Sequence, residues 1–328
     1  MKTRDLLTLI LLAWLLVSLS ACQKVPLPQD VKAGRHLPDG SAGRKTATEP
    51  NEIYGLPTRV GVLENRAVDE SSGIVASRMT PGMYWTHNDS GDGPFIYALD
   101  DLGHSRGVWR VTGAVAYDWE DIAAGPGPTA GTNYLYIGDI GDNGGNRSQI
   151  VVYRVPEPII TGAEEGSKKS NPQLTEAAEV FRLRYPDGKH NAEALLVHPV
   201  TGKIYIITKI PFGNPGVYEA DPMQSSAGVT TLTRFGELSV PTIFGGMITG
   251  GDISPDGLRV ALCDYVQGYE IVLPDASAEF DRIWKQPLTP IALGQREQGE
   301  AIGYRLDGKA LIATSEGRRA PLIQVVRK

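Results

Sequence analysis

The chain has 328 residues with 38 acidic and 32 basic side chains, and its formal charge of -6 leaves no basic footprint for nucleic acid. Hydrophobic content of 41% with 21% charged residues is that of a soluble globular protein, long enough to bury one large core or two ordinary ones. The counts of 38 Gly and 23 Pro favour many short strands joined by tight turns.

In chain order, Lys2 and Arg4 precede an apolar run from Leu6 to Leu19 that ends in small residues, the pattern of a secretory leader. The run is short for a transmembrane span. The "LSAC" that closes it, residues 19–22, resembles the lipobox of bacterial lipoproteins. That resemblance implies a signal peptide over 1–21, cleavage ahead of Cys22, lipid on Cys22 and anchoring to a membrane through it. By the rule of that family, Gln23 in the second mature position implies the outer membrane where the cell has one, facing the periplasm or the cell surface, while Asp5 in the charged flank is a small departure. Residues 22–56 are polar, rich in Pro and Gly and without apolar periodicity, so they read as the lipidated Cys and a flexible tether. Cys263 is then the remaining cysteine, which leaves no intrachain disulfide and suits a small buried hydrophobe.

From residue 57 to 328 the chain repeats itself. Five segments share an acidic or small pair before an apolar residue, a Pro/Gly/Asp turn, an apolar strand ending in a polar cluster, and a third strand. They begin at "ESSGIVAS", "WEDIAAGP", "AEALLVHP", "GDISPDG" and "EAIGYRLDG". Aligning Ile74, Ile122, Leu195, Ile253 and Ile302 gives steps of 48, 73, 58 and 49 residues. This spacing predicts an all-β fold, a β-propeller of four-stranded antiparallel blades, five in number with a sixth left open by the longer steps. A β-sandwich with coincidental turn spacing is the competing architecture. Fourth strands are expected in "GVWRVTGA", "VFRLRY", "VTTLTRFGEL" and "RIWKQPLT". The fifth is "TRVGVLEN" at 58–65, an N-terminal strand closing the C-terminal blade. The charged insertion "TGAEEGSKKSNPQLTEAAE" reads as a surface excursion.

Propeller topology puts strand-one starts and strand-two ends on one face. That face collects Glu70, Glu120, Asp121, Glu193, Asp252 and Glu300 with Asp89, Asp139, Asp264 and Glu316, and Lys209 as the basic exception. Like charges at such spacing raise one another's pKa or recruit a cation. Two loops there, "HNDSGDG" (87–93) and "GDIGDNGGN" (138–146), have the oxygen chemistry of Ca²⁺ sites, with Asp89, Asp92, Asp139, Asp142, Asn143 and Asn146 as candidate ligands. Neither is an EF-hand loop, and Asn, Asp and Gly serving only as turn residues is the alternative. Lys209, Arg147, Arg318 and Arg319 either neutralise these neighbours or grip an anionic ligand, and His87 is a further ligand candidate or a structural histidine. Trp85 and Trp119 are expected to pack between blades.

The sequence has no GxSxG elbow, HExxH, P-loop or GxGxxG in a strand-to-helix context. The units "AEALLVHPVTGKIYIITK" and "GEAIGYRLDGKALIATSE" resemble blades of exported bacterial propellers of the phytase-like, NHL-like and TolB-like group. In phytase-like members, carboxylates at the channel mouth bind Ca²⁺ that bridges phosphate. The strand starts here are mixed and the family's calcium ligands have no one-to-one match, so the resemblance transfers no catalytic assignment. Two functions follow as expectations. One is a lipid-anchored propeller that binds an unidentified ligand or envelope protein at an acidic, Ca²⁺-binding face. The other is a metal-dependent hydrolase of phosphate esters or lactones with Glu120, Glu193 or Glu300 as base. A lipoprotein subunit of an envelope complex, whose acidic face is a solvated surface, is the plainest alternative.

Overall fold

The computed structural model describes residues 51–222, 228–241 and 246–328, so the leader, Cys22 and most of the tether lie outside the described residues. Strand β1 (Thr58–Val62) comes first. Blade one holds β2 (Ser71–Ala76), β3 (Met83–Asn88), β4 (Phe95–Asp100) and β5 (Ser105–Thr112). Blade two holds β6 (Trp119–Pro126), β7 (Asn133–Asp139) and β8 (Ile150–Pro156), then, after β9 (Gln173–Ala177), β10 (Glu179–Arg184). Blade three is β11 (Ala192–Val197), β12 (Ile204–Thr208), β13 (Gly216–Ala220) and, after β14 (Val229–Thr231), β15 (Thr233–Glu237). Blade four is β16 (Gly250–Ile253), β17 (Arg259–Cys263), β18 (Gly268–Val272) and β19 (Thr289–Ile291). Blade five is β20 (Gly299–Tyr304), β21 (Ala310–Ser315) and β22 (Pro321–Val326), with β1 paired antiparallel to β22 as its outer strand.

The protein is therefore a five-bladed β-propeller closed by an N-terminal strand. Inner strands β2, β6, β11, β16 and β20 lie side by side around the centre, and β20 returns to β2. Their sequences read as continuous apolar runs because each is covered on both sides. Leu195 packs towards blade two with Val152 and Phe181, whereas Leu196 packs towards blade four with Val260 and Leu262. Each boundary between neighbouring blades holds one such cluster. Trp85 and Trp119 are fully enclosed between blades one and two, where a large ring contributes about 4–6 kcal/mol as an upper estimate. Cys263 lies in the boundary of blades four and five, and burial pushes its thiol up to about 11.

Three details differ from the sequence expectation. The insertion between β8 and β10 of blade two runs back as β9, which adds a parallel fifth strand to blade one, and β14 does the same for blade two against β10. "RIWKQPLT" is not the outer strand of blade four: Phe280–Lys285 forms a 3₁₀ helix that buries the adjacent Ile283 and Trp284, and the strand starts beyond Pro287. The packed chain also begins before residue 57. Tyr54 is 2% exposed, and its hydroxyl donates to Glu270 at 2.6 Å.

Candidate functional site

Four of the inner strands open with the same irregularity. Pairing shifts between Ser71 and Gly73, Trp119 and Asp121, Ala192 and Ala194, and Gly299 and Ala301, which leaves Ser72, Glu120, Glu193 and Glu300 as the unpaired residues. A bulge re-aims one side chain, and here it brings three glutamates to one mouth of the central channel. Strand β16 keeps a continuous register from Gly250 and supplies no fourth.

Over the Ser72 position, the end of β3 contributes Asp89. Carboxylate oxygens of Asp89, Asp118 and Glu120 lie within 4.8 Å of one another, and so do those of Asp89, Glu300 and Glu316. Asp89 belongs to both groups. Glu120 is only 2% exposed, and its carboxylate has no hydrogen-bond or ion-pair partner among the described residues. Burial, then the charges of Glu193, Asp89 and Asp118, hold its pKa well above the carboxylate range. Asp89 and Asp118 are raised too, burial leading in both. Glu300 is pushed up to about 9 by burial and by the neighbouring Glu316 carboxyl, with the Gln298 amide opposing.

Across the mouth, Lys209 binds both oxygens of Glu193 and donates to the Tyr265 hydroxyl at 2.5 Å. Burial works against the lysine charge, but Glu193 outweighs it and raises the pKa. Glu193 itself is pushed up to about 7 by burial, with Lys209 opposing.

The loop 138–146 builds this centre from behind. Asp139 accepts the backbone N–H groups of Tyr117 and Asp118 at 3.1 and 3.2 Å and pairs with Arg147 at 2.7 Å. Arg147 also donates to the Gly141 carbonyl and lies over the Tyr117 ring, so its charge is engaged within the loop. Asp142 accepts the N–H groups of Asn146 and Arg147, and Asn143 accepts from Asn191. Asp139 thus caps the segment that carries Asp118 and Asp142 caps its own turn, while Asn143 meets Asn191 and Asn146 gives its backbone N–H to Asp142. Gly141 is the loop's contact with the centre: a Cβ there would stand 2.0 Å from Glu120 Oε1 and 2.4 Å from Asp118 Oδ2.

In the other loop, Asp92 accepts the Tyr97 hydroxyl at 2.7 Å and pairs with Lys169 of the insertion, which leaves Asp89 as that loop's contribution to the mouth. His87 is buried between blades one and two, edge-on to Trp119, with Nδ1 donating to the Asn88 carbonyl at 2.7 Å. Burial lowers its pKa to about 4, so the ring is neutral. Arg318 is exposed, its Nε 3.4 Å from Asp69. Asp264 caps its own turn through the N–H groups of Val266 and Gln267.

Asp121 and Asp252 do not join the mouth. Asp121 Oδ2 accepts the N–H groups of Leu195 and Gly251 at 2.9 and 3.2 Å, and Asp252 Oδ2 accepts that of Tyr304 at 2.8 Å. They are cross-blade staples inside the ring. The sequence reading missed Asp118 and Gly141. Asp118 had a signal, an acidic residue two before Glu120 in "YDWED", but strand phase alone gave it no reason to reach Asp89.

No family model matches the chain, and no curated protein matches it. Solved structures resemble it as folds. A gluconolactonase from Xanthomonas campestris aligns at TM-score 0.43 and 11% identity over 86% of this chain and 92% of that one. A chain of a nidogen/laminin complex aligns at 0.40 and 12% over 75% and 72%, and hydrazine synthase of Kuenenia stuttgartiensis at 0.41 and 12% over 79% and 71%.

Proposed function

We propose that the protein is a cation-dependent binding propeller, in which Asp89, Asp118 and Glu120 hold a hard divalent cation that takes an oxygen of the ligand in its open positions. The observation that carries this reading is Glu120, a buried residue whose carboxylate stands with those of Asp89 and Asp118 under a glycine whose Cβ would fill the space. An all-oxygen donor set selects Ca²⁺, Mg²⁺ or Mn²⁺ over softer metals, and the flexible coordination geometry of Ca²⁺ suits carboxylates that are not arranged as an octahedron, with water and ligand oxygens completing the shell. Export and attachment through Cys22 would place this mouth outside the cytoplasm, where weak calcium sites fill. Calorimetric titration of Ca²⁺ into the EDTA-treated full chain tests the reading. One saturable site, lost in Glu120→Gln, is expected; no heat with Ca²⁺, Mg²⁺ or Mn²⁺ would sink it.

Hydrolysis of a phosphate ester or lactone is the second reading, favoured by Lys209 and Glu193 lying across from the triad. They would supply a cation for developing charge and a carboxylate base, while the bound metal would polarise the substrate oxygen. Cation-dependent turnover across a panel of both substrate classes is its test. No turnover with cation binding retained leaves the binding reading alone.

A further inference from the structure

We infer that the cavity beside the acidic mouth is an oxyanion site, which takes the phosphate or carboxylate group of a ligand. This cavity of about 410 Å³ lies where blade five closes, lined by Arg59 of β1, by Arg296 and Glu297, and by Glu316, Arg318 and Arg319 of the turn between β21 and β22. Glu316 is the common wall, since it also belongs to the Asp89 and Glu300 cluster. Four arginines and two glutamates therefore line the cavity, a local excess of positive charge against an otherwise acidic face.

These guanidiniums are poorly neutralised. Arg319 has no hydrogen bond or ion pair among the described residues, and Arg59 reaches only the Gly61 carbonyl at 3.4 Å. Arg318 has the 3.4 Å contact to Asp69, while Arg296 lies on Gly299 and donates to the Thr314 and Asp264 carbonyls at 3.4 and 3.2 Å, so it meets no carboxylate but is held by the backbone. Arginines paired within a protein form shorter, forked contacts to carboxylates, and the same fork fits phosphate and carboxylate ligands. The backbone adds a second observation. The Ala320 N–H donates to the Gly317 carbonyl at 3.1 Å, and Arg319 has φ 57, the one positive φ outside glycine among the described residues. That is the pattern of a type II turn, whose third position favours glycine. An arginine held there against backbone preference presents its guanidinium at the cavity.

Given the cation reading above, on which this extension alone rests, a ligand anchored by its oxyanion at Arg319 and Arg318 extends over Glu316 towards the metal. The anion site itself is testable without metal. EDTA-treated full-length protein is titrated calorimetrically with inorganic phosphate and, separately, malonate, up to about 10 mM. Saturable binding is expected, weakened about tenfold or more in Arg319→Gly and less in Arg319→Lys. Arg319→Gly relieves the turn, so its melting temperature should be unchanged or higher, which separates lost binding from lost fold. Binding of phosphate alone would assign a phosphate-bearing ligand, of malonate alone a carboxylate-bearing one, and of both an oxyanion site without preference. No saturable binding of either anion, or equal affinity in wild type and Arg319→Gly, would overturn the inference. Calcium titration of Arg319→Gly keeps the two sites apart, because the triad Asp89, Asp118 and Glu120 is intact in that variant.

Discussion

Replacing Glu120 with Gln should have opposite effects with and without the cation. In EDTA at pH 8, the buried Glu120 carboxylate faces Asp89 and Asp118 with oxygens within 4.8 Å, and the Lys209 charge offsets only part of the repulsion, since the Glu120 pKa stays raised. Each like-charge contact at that distance costs about 1–3 kcal/mol for effective dielectrics between bulk water and a protein surface. Partial protonation reduces the cost, since burial raises all three groups. Glu120→Gln should then stabilise the EDTA-treated protein by about 1–3 kcal/mol, a rise of a few degrees in melting temperature. With Ca²⁺ at about 1,000 times Kd, wild type gains about 4.1 kcal/mol that the variant forgoes. The two melting curves should cross: variant above wild type in EDTA, below it in calcium. Thermal melts by circular dichroism read both conditions. A variant less stable than wild type in EDTA, with the same calcium shift as wild type, would refute the reasoning.

Gly141→Ala should abolish or severely weaken cation binding, because the new Cβ would collide with Glu120 Oε1 and Asp118 Oδ2; unchanged Ca²⁺ affinity by calorimetry would show that the loop is not part of the centre. Asp121→Ala strands the N–H groups of Leu195 and Gly251 inside the ring and should destabilise the fold by about 2–5 kcal/mol in urea unfolding. A loss below about 0.5 kcal/mol would deny the staple. Burial raises Asp252 to about 7, and Asp121 is also raised by burial, so the folded chain retains protons that the unfolded chain has released. The Asp252 contribution is greatest below the ordinary carboxylate range and is lost as pH climbs to about 7, and Asp121 acts in the same direction, so the EDTA-treated protein should melt lower at pH 8 than at pH 5. A higher melting temperature at pH 8 would contradict this sign.

The propeller was legible because the blade repeat imposes both its period and its turn residues on the sequence: "SPDG" and "LDGK" occupy the turns expected of them, and "TRVGV" closes the ring. The acidic face was legible at Glu120, Glu193 and Glu300 for the same topological reason. What the sequence could not show is the division of labour among the aspartates. Asp121 and Asp252 share a strand position, one after the mouth residue, and a single step along the strand turns them inward to backbone N–H groups. Asp139 and Asp142 carry the composition of a calcium loop, yet their oxygens meet N–H groups of their own neighbourhood, which composition alone does not distinguish. Asp118 and Asp89 come together only through the meeting of blades one and two, a contact no local pattern encodes.

Anomalous diffraction from crystals of the protein soaked in Mn²⁺ tests the central claim most directly. A peak is expected about 2.0–2.6 Å from oxygens of Asp89, Asp118 and Glu120, absent from Glu120→Gln crystals treated alike. A map without a peak at this triad, with the carboxylates in place, would contradict the account.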